Sequence, residues 1–395
     1  MMVNSVNGGQ RRLDEEHAAA IVWTQITEGG DKQANNWIEK FGYAQGLSRI
    51  RNSHNSQNMT GYGSAEVVSS VKRWKMRLES LAPFDTSVLA KLGISIVIPG
   101  DEYWPEQLED LGSSKPIALW VRGNPGILRA PMVSIVGSRD ASSLGMRTTL
   151  EFAHDLAKDF VVVSGGAFGI DAWAHKGALS GGGKTIVVSA GGVDRSYPKA
   201  NHELFTQVLK EDGAIISESP LAAAPQRYRF LARNRIIAAL GSGTIVVEAS
   251  FRSGALNTAR HALAIGREVG AIPGSVESHF SAGCNELIRN GGTLLMNPSH
   301  AREMLGSIGQ LNIFSEAGNI DCFAGAGADD GYDADTERVF DAVPLRKGAS
   351  TESIARLAGV NVEAVRSILG KLLLARRVEH NLGLWVKRGA GGKNE

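Results

Sequence analysis

Apolar positions change their period along the chain. From Leu13 to Met76 they recur at helical spacing, with Ile21, Val22 and Ile26 followed by Trp37, Ile38 and Phe41. Gly29-Gly30, Gly42 and the polar stretch from Asn52 to Gly63 keep these segments short, which predicts a small helical module over residues 1–82. At Ile94 the texture becomes β. Ile94–Ile98 ends at Pro99-Gly100, and Ile117–Val121 ends at Arg122-Gly123-Asn124. From Pro131 to Met296, short β-branched runs alternate with helical stretches: 133–136, 161–163, 185–188, 214–216, 244–247, 268–271 and 293–296. Such nearly continuous apolar strands, separated by amphipathic helices, predict a parallel sheet covered on both faces, over residues 83–300 with a core at 131–296.

Beyond Pro298 the pattern loosens. Gly306 to Asp335 is rich in Gly and Ala, carries Asp329, Asp330 and Asp333, and reads with its flank as a linker over 301–335. Periodicity then returns. Helices are expected at 337–343, 351–358 and 362–374, and a hairpin at 378–386 turning at Asn381-Leu382-Gly383. Helix, helix–turn–helix, hairpin is the order of a winged helix, placed at 336–388. Its net charge of +5 suits DNA, with the third helix in a groove, and protein contacts fit the same shape. The N-terminal module has the short helices of sterile-alpha-motif (SAM-like) or helix-hairpin modules, which either accompany nucleic-acid binding or serve structure and partner contacts.

Composition narrows the partners. A hydrophobic share of 43% over 395 residues supplies a sizeable core, which excludes a wholly disordered chain. Lys and Arg exceed Asp and Glu by one, so any polyanion must be met by a local patch rather than a global field. Cys284 and Cys322 alone exclude a disulfide framework and a cysteine-rich zinc site. No uncharged apolar run approaches the roughly 18 residues of a membrane span. Met1 to Arg12 lacks an apolar stretch of the secretory kind, so a cytoplasmic protein with no membrane partner is expected.

In parallel sheets the ligand crevice lies beyond the carboxyl ends of the strands. Gly137-Ser138-Arg139 follows the 133–136 strand and leads through Ser142-Ser143 into a helix, offering backbone N–H groups and a bidentate cation. Ser164-Gly165-Gly166-Ala167-Phe168-Gly169 follows the next strand, and Tyr197-Pro198-Lys199-Ala200-Asn201 comes after the third. The dinucleotide fingerprint is absent, and Gly181-Gly182-Gly183-Lys184-Thr185 precedes a strand, unlike a P-loop. No bound cofactor or metal is expected. Between the fourth and fifth strands, Arg227, Arg229, Arg233 and Arg235 interleave with Tyr228 and Phe230, and no acid lies between Glu218 and Glu248. Cations with aromatic faces make a platform for single strands. Pairing with acids elsewhere in the sheet domain is expected for one or two of the four arginines.

The run from Val133-Ser134-Ile135-Val136-Gly137-Ser138-Arg139 through Ser164–Asp171, Ala174-His175-Lys176-Gly177-Ala178-Leu179, Tyr197–Asn201, Phe230–Ala238, Val246–Ala249, Ser253–Ala259 and Gly283–Ile288 resembles the DNA-processing protein A family (DprA/Smf). Leu231 and Ala239 stand where that family usually has proline and glycine. The resemblance implies an extended Rossmann-like α/β domain in a non-enzymatic protein that binds single-stranded DNA. It implies roles in DNA uptake and natural transformation, protection of incoming strands, loading of a RecA-type recombinase, and a homodimer. The self-contact would lie between Ser253 and Leu295, where Leu263, Ile265, Leu287 and Ile288 offer apolar surface. Candidate DNA contacts are Gly137, Ser138, Arg139, Lys199, Arg227, Phe230, Arg233, Asn234 and Arg235, with the backbone of Ser164, Gly165 and Gly166 as a phosphate loop. Asp171 and His175 are expected in capping and core roles. The alternative from another class is a nucleoside-monophosphate phosphoribohydrolase, in which Gly241-Ser242-Gly243-Thr244 precedes a catalytic Glu248 and Arg139 holds the phosphate.

Overall fold

The computed structural model describes residues 14–53, 64–251, 253–306, 334–344, 348–375, 377–381 and 383–387. Its principal sheet comprises β1 (Ile94–Val97), β2 (Leu119–Gly123), β3 (Met132–Val136), β4 (Val161–Ser164), β5 (Thr185–Val188), β6 (Ala214–Ser217), β7 (Gly243–Val246), β8 (Glu268–Ala271) and β9 (Thr293–Leu294). The strand order is β1-β2-β6-β5-β4-β3-β7-β8-β9. Every pairing from β6 across to β9 is parallel, whereas β2 runs antiparallel to both β6 and β1. Strands β3 to β7 are buried at every position, which is why they read as unbroken apolar runs.

Crossover helices cover both faces. They are α6 (Ser143–Leu156), α7 (Ile170–Ser180), α8 (His202–Lys210), α9 (Arg227–Leu240), α10 (Gly254–Ala264), α11 (Ala282–Arg289) and α12 (Pro298–Gly306), preceded by α1 (Glu15–Ile26), α2 (Lys32–Phe41), α3 (Tyr43–Arg51), α4 (Ala65–Glu79) and α5 (Ser87–Leu92). Two expected boundaries move. The N-terminal helices do not close a core of their own at residue 82: Trp23, Trp37 and Trp74 share one apolar cluster with Ile96, Trp120 and Phe205 of the sheet domain. Tyr43 Oη donates to the Ile117 carbonyl at 2.7 Å across that seam. At the other end, Ala301, Met304 and Leu305 of α12 are buried in the cluster that holds Val133 and Ile245. The sheet domain therefore runs to Gly306 and not to 300. Pro298, read as a break, occupies the first position of α12, where its missing N–H costs nothing. The remainder of the expected linker, 307–333, lies outside the described residues.

The C-terminal unit consists of α13 (Ala334–Ala342), α14 (Thr351–Ala358), α15 (Val362–Leu374) and an antiparallel pair, β10 (Val378–Asn381) and β11 (Leu384–Lys387). Val339, Ile354, Val365, Leu369 and Leu372 close its core. Ser350 and Asn361 cap α14 and α15 by accepting from the Ser353 and Ala364 amides.

Candidate nucleic-acid interface

Strand β3 stands where the sheet order reverses, with β4 to β6 on one side and β7 to β9 on the other. The crevice at such a reversal is the usual ligand position, and the amino end of α6 opens into it. Here the protein's own carboxylate occupies that end. Glu248, just beyond β7, is 8% exposed and accepts from the Ser142 amide at 2.9 Å and the Ser142 hydroxyl at 2.5 Å. The hydroxyl in turn accepts from the Gly145 amide at 3.0 Å. A Cβ at Gly145 would lie 2.3 Å from the Glu248 carboxyl carbon, so the glycine makes room for the acid. The Ser142 and Gly145 amides, expected to be open to a ligand, are thus committed. Glu248 anchors α6, and a phosphate placed here would meet a negative charge.

Three neighbouring loops form the open surface instead. The loop after β3 is tied to the loop after β4 where the Ile170 amide donates to the Ser138 carbonyl at 3.0 Å. Gly169 makes that approach possible: its φ is +69°, and a Cβ would stand 2.2 Å from the Ser138 oxygen. On the other side, Asn201 Nδ2 donates to the Gly166 carbonyl at 2.9 Å and the Ala167 carbonyl at 3.2 Å, joining the Tyr197–Asn201 segment to the same loop. Gly137 packs against Ile170, and Ser138 spends its hydroxyl on the Asp140 backbone.

Arg139 and Lys199 are exposed on these loops. The Arg139 guanidinium carbon lies 5.0 Å from the ring centre of Phe230 in α9, and the Tyr197 ring is 5.7 Å from the same ring. Arg227, at the start of α9, is also exposed. Arg139, Phe230 and Tyr197 are thus brought together, with Lys199 two residues from Tyr197.

Several expected contacts are not at the surface. Arg233, 4% exposed, donates from Nη1 to the carbonyls of Gly165, at 2.7 Å, and Val188. It stitches the ends of β4 and β5 from beneath. Burial pulls its guanidinium down to about 10, against the opposing pull of Asp171. Asp171 is pushed up by its own burial, which Arg233 and Arg139 only partly offset. Asn234 donates to the Gly254 carbonyl and Asn257 Oδ1. Arg235 holds both oxygens of Glu218 at 2.6 Å and the Ser114 carbonyl at 2.7 Å. Arg233, Asn234 and Arg235 therefore leave the contact set, because α9 enters the core from Arg233 onward. Of the pairings expected with acids of the sheet domain, Arg235 makes one, with Glu218, whereas Arg229 pairs with Glu28 of the N-terminal segment at 3.2 Å. Burial alone would raise the Glu28 carboxyl, but Arg229 and Arg77 hold it below the usual range. Ser164, Gly165 and Gly166 are buried too, and a Cβ on Gly166 would meet Phe205 at 2.7 Å. The exposed part of that loop is its tip, where Phe168 is 50% exposed.

His175 is fully buried and neutral. Thr185 donates its hydroxyl to the Val162 carbonyl at 2.6 Å, which leaves His175 Nδ1 to donate to Thr185 Oγ1 at 2.7 Å. Burial first, and Arg233 second, bring its pKa down to about 3. Among the described residues, no cluster of His, Cys, Asp or Glu could hold a metal ion, and no helix is long and apolar enough to cross a membrane. Tyr197 and Phe168 have no role in the sequence reading, although an aromatic at a glycine-loop tip is a signal in itself.

A family profile described as DNA recombination-mediator protein A matches residues 95–306. A Mycobacterium tuberculosis protein carrying the DprA name is 36% identical over 323 residues, covering 78% of this chain and 81% of that one. The DNA processing protein DprA of Streptococcus pneumoniae is 42% identical over 195 residues, covering 49% of this chain and 68% of that one. The X-ray structure of DprA from the same species superposes with a TM-score of 0.59 at 30% identity, covering 74% of this chain and 98% of that one. On this similarity, whose profile match takes in β2 to β9 of the principal sheet, the chain belongs to the DNA recombination-mediator protein A family.

Proposed function

We propose that this protein binds single-stranded DNA across the loops that follow β3, β4 and β5, and that it does so in DNA uptake and natural transformation. In this reading it shields incoming strands and helps to load a RecA-type recombinase, working in the cytoplasm as a binding protein with no reaction of its own. The observation that carries the reading is the Arg139 guanidinium lying over Phe230 beside Tyr197, on the open edge of a sheet whose crevice Glu248 closes. A phosphodiester needs cations spaced along an open track, and bases need aromatic faces. Arg139, Lys199 and Arg227 supply the first and Phe230 the second. Membership of a family named for DNA recombination supports the same conclusion. The buried capping role of Glu248 disfavours the phosphoribohydrolase alternative, since its carboxylate is spent on Ser142.

A long strand is best held by two copies. Leu287 is buried in its own core, with Leu263, Ile265 and Ile288 packed against it, so these are poor contacts for a second copy. The self-contact fits the sheet edge at β9 better, where Leu294 is 41% exposed and Met296, just beyond, is 68% exposed. We read the N-terminal helices as a SAM-like module and the C-terminal unit as a winged helix. Anisotropy titrations of mixed-sequence single- and double-stranded oligonucleotides at two salt concentrations test the central reading. Preference for the single strand with a marked salt slope is expected, and equal affinity for duplex would refute it.

A further inference from the structure

We propose that Phe168 is a second base-stacking platform, set between the Arg139 loop and the Lys199 loop; the inference rests on the single-strand reading above. Phe168 occupies the tip of the loop joining β4 to α7 and leaves half its surface in water. Its two chain neighbours are Ala167 and Gly169, and Ile170 beyond them turns into the core. The tip is not a loose end. Gly169-Ile170 is held to Ser138, while Gly166 and Ala167 accept from Asn201. A half-exposed ring on a backbone tied at both sides is partly preorganised for a flat apolar partner, because the loop needs little ordering on binding.

Its surroundings differ from those of the neighbouring aromatics. Phe230 is half-buried and has the Arg139 guanidinium and the tilted Tyr197 ring beside it. Among the described residues no ring or cation contacts Phe168, and half of its surface is open. The backbone ties lead from Phe168 to one exposed cation on each side, Arg139 through Ser138 and Lys199 through Asn201. An apolar ring flanked by cations suits a polyanion that carries π faces, namely a strand whose phosphates meet the cations while a base lies on the ring. The contact reads no base edge, so it accepts any base.

The test uses the full-length protein and dT oligomers. Phe168→Ala should weaken binding by roughly 5- to 150-fold while leaving the salt slope at its wild-type value, because stacking releases no counterions. Phe168→Trp should restore affinity. Its added fluorescence, measured over that of the seven native tryptophans, should be quenched by dT oligomers and not by an abasic backbone of equal length. Since the side chain is half exposed, the thermal midpoints of both variants should match the wild type and exclude misfolding. If Arg139→Ala weakens binding but Phe168→Ala stays within about twofold of wild type, the inference falls and the single-strand reading stands. A Phe168→Ala slope lowered as far as that of Arg139→Ala would overturn the stacking role. If neither variant changes affinity, both proposals fall together.

Discussion

The contact between Arg139 and Phe230 allows charge and stacking to be separated by a double-mutant cycle. For single strands, log affinity falls with log salt by about 0.7 per phosphate neutralised, so Arg139 and Lys199 together contribute a slope of about 1.4. A rise from about 50 to about 200 mM salt then costs roughly sevenfold through this pair, and Arg139→Ala should reduce that to roughly threefold. The same variant loses a hydrogen bond to a charged group, worth about 1.5–3 kcal/mol or roughly 10- to 150-fold in Kd. Phe230→Ala should cost about 1–3 kcal/mol through lost stacking and leave the slope close to wild type. The two are not independent, because the guanidinium lies 5.0 Å from the ring centre. Each single variant also removes a cation–π contact of about 0.5–1 kcal/mol from the free protein, so in thermal stability the double variant should lose less than the sum of the singles by about that amount. The assay is anisotropy of a labelled dT oligomer with all four proteins at both salts. An unchanged slope in Arg139→Ala, or a slope in Phe230→Ala that falls as far as that of Arg139→Ala, would refute the division of labour.

Three further outcomes follow from the same structure. Burial holds His175 at about 3 in the folded state against an ordinary 6.5, so acid favours the unfolded chain. Stability should be complete above about pH 6.5 and decline as pH falls towards 3, by an upper bound on the order of 5 kcal/mol, and urea midpoints of His175→Gln should show a flatter dependence over that window. Gly165→Ala would place a Cβ 2.5 Å from Arg233 Nη1, so it should destabilise the fold by about 1–3 kcal/mol and weaken strand binding; a variant with wild-type midpoint and Kd would show that the loop can move aside freely. Leu294→Glu should convert a sedimenting dimer into a folded monomer with weaker binding to long strands and near-normal binding to short ones, and a wild type that sediments as a monomer with and without DNA would remove the β9 interface.

Strands β3 to β7 were legible because each is buried at every position, and a fully buried strand has no polar alternation to obscure it. The 185–188 and 268–271 runs coincide with β5 and β8. Helices α14 and α15 were equally readable, since Ser350 and Asn361 mark their starts. What pattern could not supply was rotation. Arg227 and Arg235 both lie in an arginine-rich helix, yet one is exposed and the other 5% exposed, and only the packing of α9 against the sheet separates them. The acids that pair with Arg229 and Arg235 were invisible for a related reason. Glu28 is 201 positions from Arg229, so no local window connects them. The N-terminal boundary failed similarly, because the seam is apolar on both sides and Trp120 fits the helical cluster as well as it fits its own strand.

Glu248 links these observations to the kind of ligand the fold can hold. A mononucleotide is usually held by an enclosed crevice with its phosphate at a helix amino end. In this chain that end is filled by a carboxylate received by Ser142 and accommodated by Gly145, so the sheet's most obvious anion site is closed from within. The acidic cavity lined by Thr24, Glu28, Gly29 and Glu218 lies away from the three loops, and both its carboxylates are already paired with arginines. The exposed cations are left on loops that lie side by side, cross-tied through Ser138 and Asn201, with Arg233 bracing them from below. In the reading proposed above, such a surface would offer repeated contacts to phosphate and ring. Those contacts add along a chain, and a polymer can therefore be held by loops that would retain a single nucleotide only weakly.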